Sequence, residues 1–372
     1  MSHSPFSGVT IVDFSRVLAG PYATAMFADL GAEVIKIEIP GVGDDARHLG
    51  PFKDGESVYF SGLNRGKKSV EIDLKSDEDR ARLDTLLERA DVVVENFRPG
   101  VAHKLGISAE QLRAKRPELV YASISGYGQA GSFAKSPAYD TVVQARSGLM
   151  AATGTVESGP TRVGESIADV AAGNLAAFGI ASALFKQKVT GEGSHVDIPM
   201  YDVLVSMQPT NVAVYDSTGE APVPSGNAHP VTAPFDTYRV SDGLIVIAVA
   251  NDRLYAHLAD TLGRPQLATD ERFLTDPKRK ANEEELRAEI EEALKSHTVD
   301  SALELLGANG IPCSAVLDLK QSLESDLGRE RDLIRTDERL GHRYAGHPLL
   351  FDGERPVAEL PVPRLGEHND EI

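Results

Sequence analysis

Short apolar runs alternate with longer segments of helical periodicity through the first half of the chain. The runs are VTIVDF at 9–14, EVIKIE at 33–38, KSVEIDL at 68–74, DVVVEN at 91–96 and LVYASIS at 119–125. Near-continuous apolar runs separated by helices are typical of parallel strands that are buried on both faces and joined by crossover helices. The pattern therefore predicts an α/β domain with a doubly wound parallel sheet.

The segments between these runs carry signals for helix ends. Gly20-Pro21 opens YATAMFADLGA, and Gly31 is placed to end that helix. Ser76 is placed to cap SDEDRARLDTLLERA, whose leucines share one face. A longer helix is predicted over 166–186, SIADVAAGNLAAFGIASALFK, and its many alanines and glycines indicate close packing against its neighbours.

The pattern changes after a further strand candidate at 195–200. A helical stretch is predicted to reach about Thr218, and the Pro/Gly-rich piece GEAPVPSGNAHPVTAP then indicates a crossover into a second domain. That domain reads as α+β, with a hairpin turning at Ser241-Asp242-Gly243, helices near 251–262, 282–296 and 299–307, and a strand around IPCSAVLD. We therefore predict a large domain of 1–200 completed by 325–372, a linker at 201–224 and a small domain at 225–324, with an irregular tail from about Asp326.

Charge and cysteine content narrow the function. The chain has 38 Lys plus Arg against 56 Asp plus Glu, a formal net charge of −18, which repels nucleic acid. A small anion can still bind where basic groups gather, because charges are screened beyond ~10 Å. Cys313 is the single cysteine, so no intrachain disulfide can form. With no leader pattern and no run of ~20 apolar residues, we expect a cytoplasmic protein that does not bind membranes.

Several catalytic motifs are missing from the sequence. There is no GxxxxGK[ST] loop, GxSxG elbow, HExxH or clustered Cys/His of zinc spacing, and SRVLAGPYA rather than GxGxxG follows the first strand. These absences argue against ATP use, thiol catalysis and a dinucleotide. We expect no metal and no tightly bound cofactor, which leaves carboxylate chemistry.

Asp169 is the candidate nucleophile. It falls in the first turn of the helix predicted over 166–186, where the helix dipole favours an ionised carboxylate, so we expect it to stay charged at neutral pH. Small neighbours such as Ala168 and Gly173 leave room for a bulky substrate, and carboxylates act as covalent nucleophiles in other enzymes. The alternative is that Asp169 only caps the helix.

Basic residues near predicted strand ends are candidates for an anionic ligand. They lie in the segments LNRGKKSV, with Arg65, Lys67 and Lys68; NFRPGVAHKLG, with Arg98 and Lys104; and GVGDDARHLG, with Arg47. Strand ends of an open α/β sheet are where phosphates bind, and Arg or Lys can grip them there. The alternative is ordinary solvated surface charge. Asp140 is similarly ambiguous, since it can simply cap the next helix.

The order of the motifs resembles that of the class III CoA-transferases, the superfamily of formyl-CoA transferase and acyl-CoA racemases. The matching pieces are VTIVDFSRVLAGPYATAMFADLGAEVIKIE, LNRGKKSVEIDL, VVVENFRPG, SISGYGQAG, YDTVVQARSGLM, ADVAAG and LGEHNDEI. The resemblance runs from about residue 7 to the C-terminus and is densest over the first 200 residues. It implies a Rossmann-like large domain built from both chain ends, a smaller domain between them, and two chains interlocked as a homodimer.

The resemblance also implies the reaction and the site. An acyl-CoA would give up its CoA to a carboxylic acid through an acyl anhydride and then a CoA thioester on Asp169. The implied CoA contacts are Val17, Leu18, Arg47, Ile72, Asp73, Leu74, Lys75, Asn96, Phe97, Arg98, Lys104, Pro137, Ala138, Tyr139 and Asp140.

Departures from the family pattern bear on specificity and leave alternatives open. Some relatives carry a run of glycines that covers the site, whereas here only the isolated Gly219 and Gly226 occur. Oxalate-type relatives have glutamine at Leu18 and arginine at Ile39, which argues against a narrow formyl or oxalyl assignment.

A 2-methylacyl-CoA racemase is one alternative, but racemases have His-Asp where this chain has Tyr139-Asp140, and a tyrosine of pKa ~10 is a poor base. A non-catalytic CoA-binding protein is the other.

Overall fold

The computed structural model describes residues 4–371, which form two compact units. The first unit comprises the chain up to residue 150, residues 162–209 and residues from 333 onward; the second comprises 151–161 and 210–332. Each unit has its own apolar core.

The strands are β1 (Thr10–Asp13), β2 (Glu33–Glu38), β3 (Phe52–Lys53), β4 (Glu56–Ser57), β5 (Lys68–Glu71), β6 (Val92–Glu95), β7 (Val120–Ser125), β8 (Gly154–Thr155), β9 (Gly159–Pro160), β10 (His195–Pro199), β11 (Phe235–Arg239), β12 (Leu244–Ala248), β13 (Cys313–Ala315), β14 (Ile334–Thr336) and β15 (Arg343–Ala345). The α-helices are α1 (Ala19–Asp29), α2 (Val58–Asn64), α3 (Asp77–Arg89), α4 (Val101–Lys104), α5 (Ala109–Lys115), α6 (Asp140–Arg146), α7 (Leu149–Ala152), α8 (Ile167–Thr190), α9 (Met200–Ser206), α10 (Pro209–Thr218), α11 (Asp252–Thr261), α12 (Asp276–Ala281), α13 (Glu283–Leu294), α14 (Val299–Ala308), α15 (Leu319–Glu324) and α16 (Asp326–Arg331). Short 3-10 helices cover Asp45–His48, Pro265–Thr269 and Asn369–Glu371.

The first unit is organised by a parallel sheet of six strands in the order β10-β7-β6-β1-β2-β5. Adjacent residues of each strand point to opposite faces. Ile11 therefore packs with α1, α8 and α9 on one face, while Val12 packs with α3 and α5 on the other. The predicted mixed α/β fold with a parallel sheet is confirmed, and each of the five apolar runs contains one of its strands.

The predicted helix ends follow the chemistry of capping. The Ser76 side chain accepts a hydrogen bond from the Asp79 amide at the start of α3. Gly31 has a φ of 87° just beyond α1, a conformation that costs glycine little. Both predicted helix ends are confirmed. A cap and a positive φ involve residues close in sequence and need no distant partner.

Helix α8 lies in the core of the first unit. Its Ala168, Ala172 and Ala176 are fully buried among residues of the sheet and α1. A Cβ on Gly173 would lie 2.7 Å from the backbone oxygen of Ala19, so only glycine allows α8 and α1 to approach this closely. By length and composition α8 is also apolar enough to cross a membrane, but its place in the core accounts for that composition, as it does for core helices generally.

The second unit contains the predicted hairpin. Strands β11 and β12 pair antiparallel on either side of Ser241–Gly243, and β13 adds to β12. Helices α11, α13 and α14 supply leucines and alanines to the core behind this sheet. Helix α12 was not predicted, since its sequence DPKRKA has no apolar periodicity.

The prediction of an irregular tail from Asp326 is wrong. Ser325 caps α16 by accepting from the Gly328 amide at 3.0 Å, and β14 and β15 form a hairpin. The last residues then cover the sheet edge: the Ser69 amide donates to His368 Nδ1 at 3.1 Å and the Glu71 amide donates to Asn369 Oδ1 at 2.8 Å. Because β5 is an edge strand, these bonds satisfy amides that would otherwise be open.

The packing of α8 predicts opposite effects for one substitution at two helical glycines. Gly173→Ala forces a methyl group against a backbone oxygen and should lower stability by ~1–3 kcal/mol. Gly307→Ala in α14 meets nothing within 4 Å and should raise stability by ~0.5–1 kcal/mol. Thermal and urea denaturation measure both. A Gly173→Ala protein as stable as the parent would show that α1 and α8 are not in close contact.

Candidate active site

The turn after β1 is held in an unfavourable backbone conformation. Val17 has a φ of 67°, which costs a β-branched residue on the order of 1–3 kcal/mol. Its amide donates to Asp44 Oδ1 at 3.0 Å. The Arg16 amide donates to Asn96 Oδ1 at 2.9 Å, and Asn96 Nδ2 donates back to the Arg16 oxygen at 2.8 Å. Strain of this kind persists only where surrounding groups enforce it and is concentrated at functional sites.

Lys36 joins this turn to the loop that follows β2. Its side chain is fully buried and donates to the Ser15 backbone oxygen at 2.9 Å, while its ammonium lies 2.7 Å from Asp44 Oδ2. Burial alone would raise the pKa of Asp44, but Lys36 and the donated backbone amides lower it. Asp44 therefore stays ionised and able to hold Val17.

The basic segment LNRGKKSV serves the fold rather than a ligand. Lys67 is fully buried and donates to Asp13 Oδ2 at 3.0 Å, to Asn64 Oδ1 at 2.9 Å and to a backbone oxygen. Burial would raise the pKa of Asp13, but the charges of Lys67 and Lys36 lower it to about 2. The other two cations, Arg65 and Lys68, are paired with carboxylates. All three cations are thus paired with carboxylates of the protein, which favours a structural role for this segment over the binding of an anion.

A cavity of about 420 Å³ lies beyond the ends of β1, β2, β5 and β6. Of the predicted CoA contacts, it brings together Ile72, Asp73, Leu74, Lys75 and Phe97. It is completed by Phe14, Arg16, Ile37, Glu38, Ile39, Pro40, Gly43, Asp44, Val101 and Leu105. Its position matches the rule that open α/β sheets bind ligands at the carboxyl ends of their strands.

One cation lines this cavity, and two more are close in sequence to residues that line it. Lys75 lines it, and Arg98 and Lys104 flank the lining residues Val101 and Leu105 in sequence. All three cations are exposed, and none of their side chains forms an ion pair with any residue between 4 and 371. They are therefore available to an anionic ligand in a chain whose net charge is strongly negative.

Arg47, also a predicted CoA contact, is engaged within the protein. Its guanidinium donates to both carboxylate oxygens of Glu38, at 2.8 and 2.7 Å, and lies 3.8 Å from the centroid of the Phe60 ring. Burial would raise the pKa of Glu38, but Arg47, Lys36 and Ser69 lower it. The structure thus places Arg47 behind the cavity wall that Glu38 forms.

Asp169 lies in the first turn of α8, half-buried among small residues. Its side chain makes no hydrogen bond or ion pair with the described part of the chain. Burial, and then the charge of Asp140, raises its pKa to about 7. The expectation that Asp169 stays fully charged at neutral pH is wrong, because both effects outweigh the helix dipole on which it rested.

The sequence of this chain matches CoA-transferase family III over residues 6–369. The chain belongs to this family. It is 41% identical to an acetyl-CoA:oxalate CoA-transferase of Acetobacter aceti, over 98% of this chain and 93% of that protein. It is 37% identical to a succinyl-CoA:mesaconate CoA-transferase of Haloarcula hispanica, over 97% and 94%. A crystal structure of a CaiB/BaiF family protein from Brucella suis is 34% identical, with a TM-score of 0.87 over 100% and 98% of the two chains.

The resemblance drawn from the motifs is thereby confirmed, and the protein is a CoA-transferase acting on acyl-CoA and carboxylic acids. These relatives carry the names of transferases, so they give no support to the racemase or to the non-catalytic interpretation.

Residues Pro137 to Asp140, which the family resemblance implies to be CoA contacts, differ in their exposure to solvent. Pro137 and Tyr139 are exposed, Tyr139 by 76%, and Ala138 packs against the core. Asp140 is buried, and both its oxygens accept hydrogen bonds from the protein. Pro137 and Tyr139 are therefore open to a ligand, whereas both oxygens of Asp140 are already engaged within the protein.

Tyr59 is a residue under the electrostatic influence of Asp169 that sequence reasoning missed. Burial raises its pKa to about 12, and the charges of Asp169, Glu165 and Asp44 add to the effect. Its hydroxyl therefore stays protonated at neutral pH, within the electrostatic reach of both Asp169 and the cavity-lining Asp44. Tyr59 lies a few residues before the LNRGKK motif. Nothing in its position within the sequence indicated a function.

The raised pKa of Asp169 predicts a stability that depends on pH. Since the pKa in the folded chain, about 7, lies above the ordinary 3.8, ionisation opposes folding increasingly from pH ~4 to ~7 and fully above. A rise of about three pKa units at ~1.4 kcal/mol each would be worth ~4 kcal/mol, and partial exposure of the side chain to solvent reduces this, so Asp169→Asn should be more stable than the parent by ~2 kcal/mol at pH 8.5. The gain should disappear near pH 4.

Urea denaturation at both pH values measures this difference. Asp260→Asn, at an exposed position of α11, is the matched control and should show no such change. An Asp169→Asn protein less stable than the parent at pH 8.5 would contradict the burial argument.

Proposed function

We propose that this CoA-transferase works through an acyl bond on Asp169. The observation that carries the proposal is the state of that carboxylate: it is half-buried, lacks a protein partner within residues 4–371, and has a pKa of about 7. About half of it is ionised at neutral pH, and a more basic carboxylate is a stronger nucleophile.

The reaction then runs in two exchanges. A carboxylate oxygen of Asp169 attacks the donor thioester, the C–S bond breaks, and a mixed anhydride and CoA thiolate result. The thiolate attacks the aspartyl carbonyl, which releases the donor acid and leaves an aspartyl-CoA thioester. The acceptor carboxylate reverses these steps and leaves with CoA. Atoms and charge balance without ATP, because each activated bond is exchanged for another.

Groups around Asp169 support this chemistry. The protonated hydroxyl of Tyr59 is a donor for the negative oxygen that develops at either carbonyl. Burial of the site by Ala168, Ala171 and Ala172 reduces access of water to the anhydride. Family relatives with a glycine run have another cover, which this sequence lacks.

The cavity and its cations support the predicted CoA contacts. We propose that the adenine ring occupies the cavity between Ile72–Lys75 and Phe97, and that Lys75, Arg98 and Lys104 bind the phosphates. The turn at Val17 and Leu18 would lead the pantetheine arm toward Asp169. Asn96 and Arg47 contribute by holding the turn and the cavity wall.

We also propose that the protein is a homodimer of interlocked chains, each with a Rossmann-like large domain of 1–200 completed by 325–372, a linker at 201–224 and a small domain at 225–324. Helix α8 supports a partner surface, because Phe178, Phe185 and Val189 are 71, 72 and 68% exposed. Apolar side chains repeated along one helix usually mark an interaction site. A cytoplasmic location remains a prediction.

We propose that the carboxylic acids between which this protein transfers CoA are short dicarboxylates. Relatives are named for oxalate, mesaconate, and succinate with glutarate. The Leu18 and Ile39 positions, which hold Gln and Arg in oxalate-type enzymes, favour an acid larger than oxalate here.

The central test is exchange of labelled acids into CoA esters. The protein, sized first by light scattering, is incubated with acetyl-CoA or succinyl-CoA and labelled oxalate, succinate, mesaconate or glutarate. We expect label in the CoA ester with the parent protein, and a loss of at least ~10³-fold in Asp169→Ala, since a covalent nucleophile is removed.

A trapping measurement separates the covalent step from binding. With acyl-CoA and no acceptor, intact-mass spectrometry should show the parent chain heavier by CoA less one water, and Asp169→Ala unchanged. Undiminished exchange by Asp169→Ala would end the proposal. Washout of the α-hydrogen in D₂O without exchange of acid would favour the racemase.

The cations around the cavity predict a second result. Lys75→Ala, Arg98→Ala and Lys104→Ala should each raise KM for acyl-CoA by ~5-fold or more at low salt with kcat little changed, since they bind phosphate rather than the reacting atoms. The effect should shrink as salt rises. Lys320→Ala, at an exposed position of the second unit, is the control. Unchanged KM in all three variants would remove CoA from this cavity.

A further inference from the structure

We propose that Asp140 is a positioning residue for Asp169: it fixes the start of α8 from a different helix and sets a second carboxylate beside the nucleophile. This inference rests on the proposed function of Asp169. It reassigns Asp140, which family resemblance implied to be a CoA contact, to the support of the nucleophile.

The first observation is an unusual cap. Ser166 is the N-cap residue of α8 but makes no side-chain capping bond. Instead, Asp140 Oδ1 accepts from the Ala168 amide at 2.8 Å. Free amides at a helix start need an acceptor, and here it comes from α6. Since Ala168 immediately precedes Asp169, this bond fixes the backbone of the nucleophile.

Gln144 completes the support one helical turn later. Its Nε2 donates to Asp140 Oδ2 at 2.7 Å, and its Oε1 accepts from the Val163 amide at 2.9 Å. Asp140 and Gln144 are 7 and 0% exposed. Two adjacent side chains of α6 therefore hold the segment that leads into α8 at both of its ends, residues 163 and 168.

The charge of Asp140 is not neutralised. Both its oxygens accept from neutral donors, and within residues 4–371 it forms no ion pair. Asp140 from α6 is the charged group that acts on Asp169, and Asp169 and Glu165 both act on Tyr59 of α2. No cation among the described residues contributes to the pKa of Asp169, so nothing offsets the effect of the negative charge of Asp140.

The chemical consequence is a more basic nucleophile. Asp140 keeps the pKa of Asp169 above its ordinary range, in addition to the effect of burial. A more basic carboxylate attacks a thioester more readily and is a poorer leaving group when water approaches its acyl derivative. Asp140 thus favours both the formation and the persistence of the acyl bond.

The test separates the charge from the hydrogen bond. Asp140→Asn keeps an oxygen for the Ala168 amide and removes the charge. In the pH profile of kcat, we expect the acidic limb to move to lower pH by ~1 unit or more. We expect KM for acyl-CoA to stay within ~2-fold of the parent value. Asp140→Glu keeps the charge and should keep the limb near its original pH. Gln144→Ala keeps Asp140 but frees Val163, so we expect a several-fold lower kcat with an unmoved limb.

A direct titration makes the result independent of turnover. The carboxyl ¹³C signal of Asp169, assigned by its absence from Asp169→Asn, should titrate at lower pH in Asp140→Asn. If instead Asp140→Asn raises KM for acyl-CoA ~10-fold and leaves the titration unchanged, Asp140 is a CoA ligand and the inference falls. If Asp140→Asn does not fold, the other two variants still test the inference. A shift of the acidic limb of the pH profile of kcat by one pH unit, in either Gln144→Ala or Asp140→Glu, would contradict it. Failure of Asp169 itself is recognised separately, by an active Asp169→Ala.

Discussion

The hold of Asp44 and Asn96 on the turn after β1 is the interaction on which the site depends. Val17 adopts a backbone conformation that it would leave if unsupported, and the two side chains that hold the turn come from the loop after β2 and from the residue that follows β6. Lys36 keeps Asp44 ionised and adds a bond to Ser15. The buried charges and the turn are therefore linked by direct bonds, and two members of this network, Arg16 and Asp44, line the cavity. Buried ion pairs add little net stability, so the value of these lies in the geometry that they impose.

The sequence was informative where local backbone chemistry decides the outcome. Runs rich in Val and Ile predicted the buried strands, and Ser76 and Gly31 marked helix ends, because capping and positive φ need no distant partner. Asp169 was recognisable from its motif and helix position. The tail was not, since the strands β14 and β15 are short and the bonds of His368 and Asn369 to β5 join residues about 300 positions apart.

The electrostatic state of the site could not be read in the same way. Lys67 and Arg98 look alike in sequence, yet one is buried against Asp13 and the other is exposed beside the cavity. Asp169 was expected to be a fully ionised acid, and only the arrangement of α6 against α8 reveals a second carboxylate nearby. Tyr59 became visible for the same reason. Charge, burial and proximity are properties of the packed chain rather than of a motif.

The closure of the β5 edge by residues 366–371 has a consequence for biosynthesis. Every element that contributes to the cavity is translated within the first third of the chain, but the amides of Ser69 and Glu71 are paired by His368 and Asn369, near its end. While the polypeptide is still leaving the ribosome, the nascent sheet presents an unprotected border next to 72–75. Until the last residues arrive, this edge is open to pairing with another chain, because an unpaired edge strand readily recruits one.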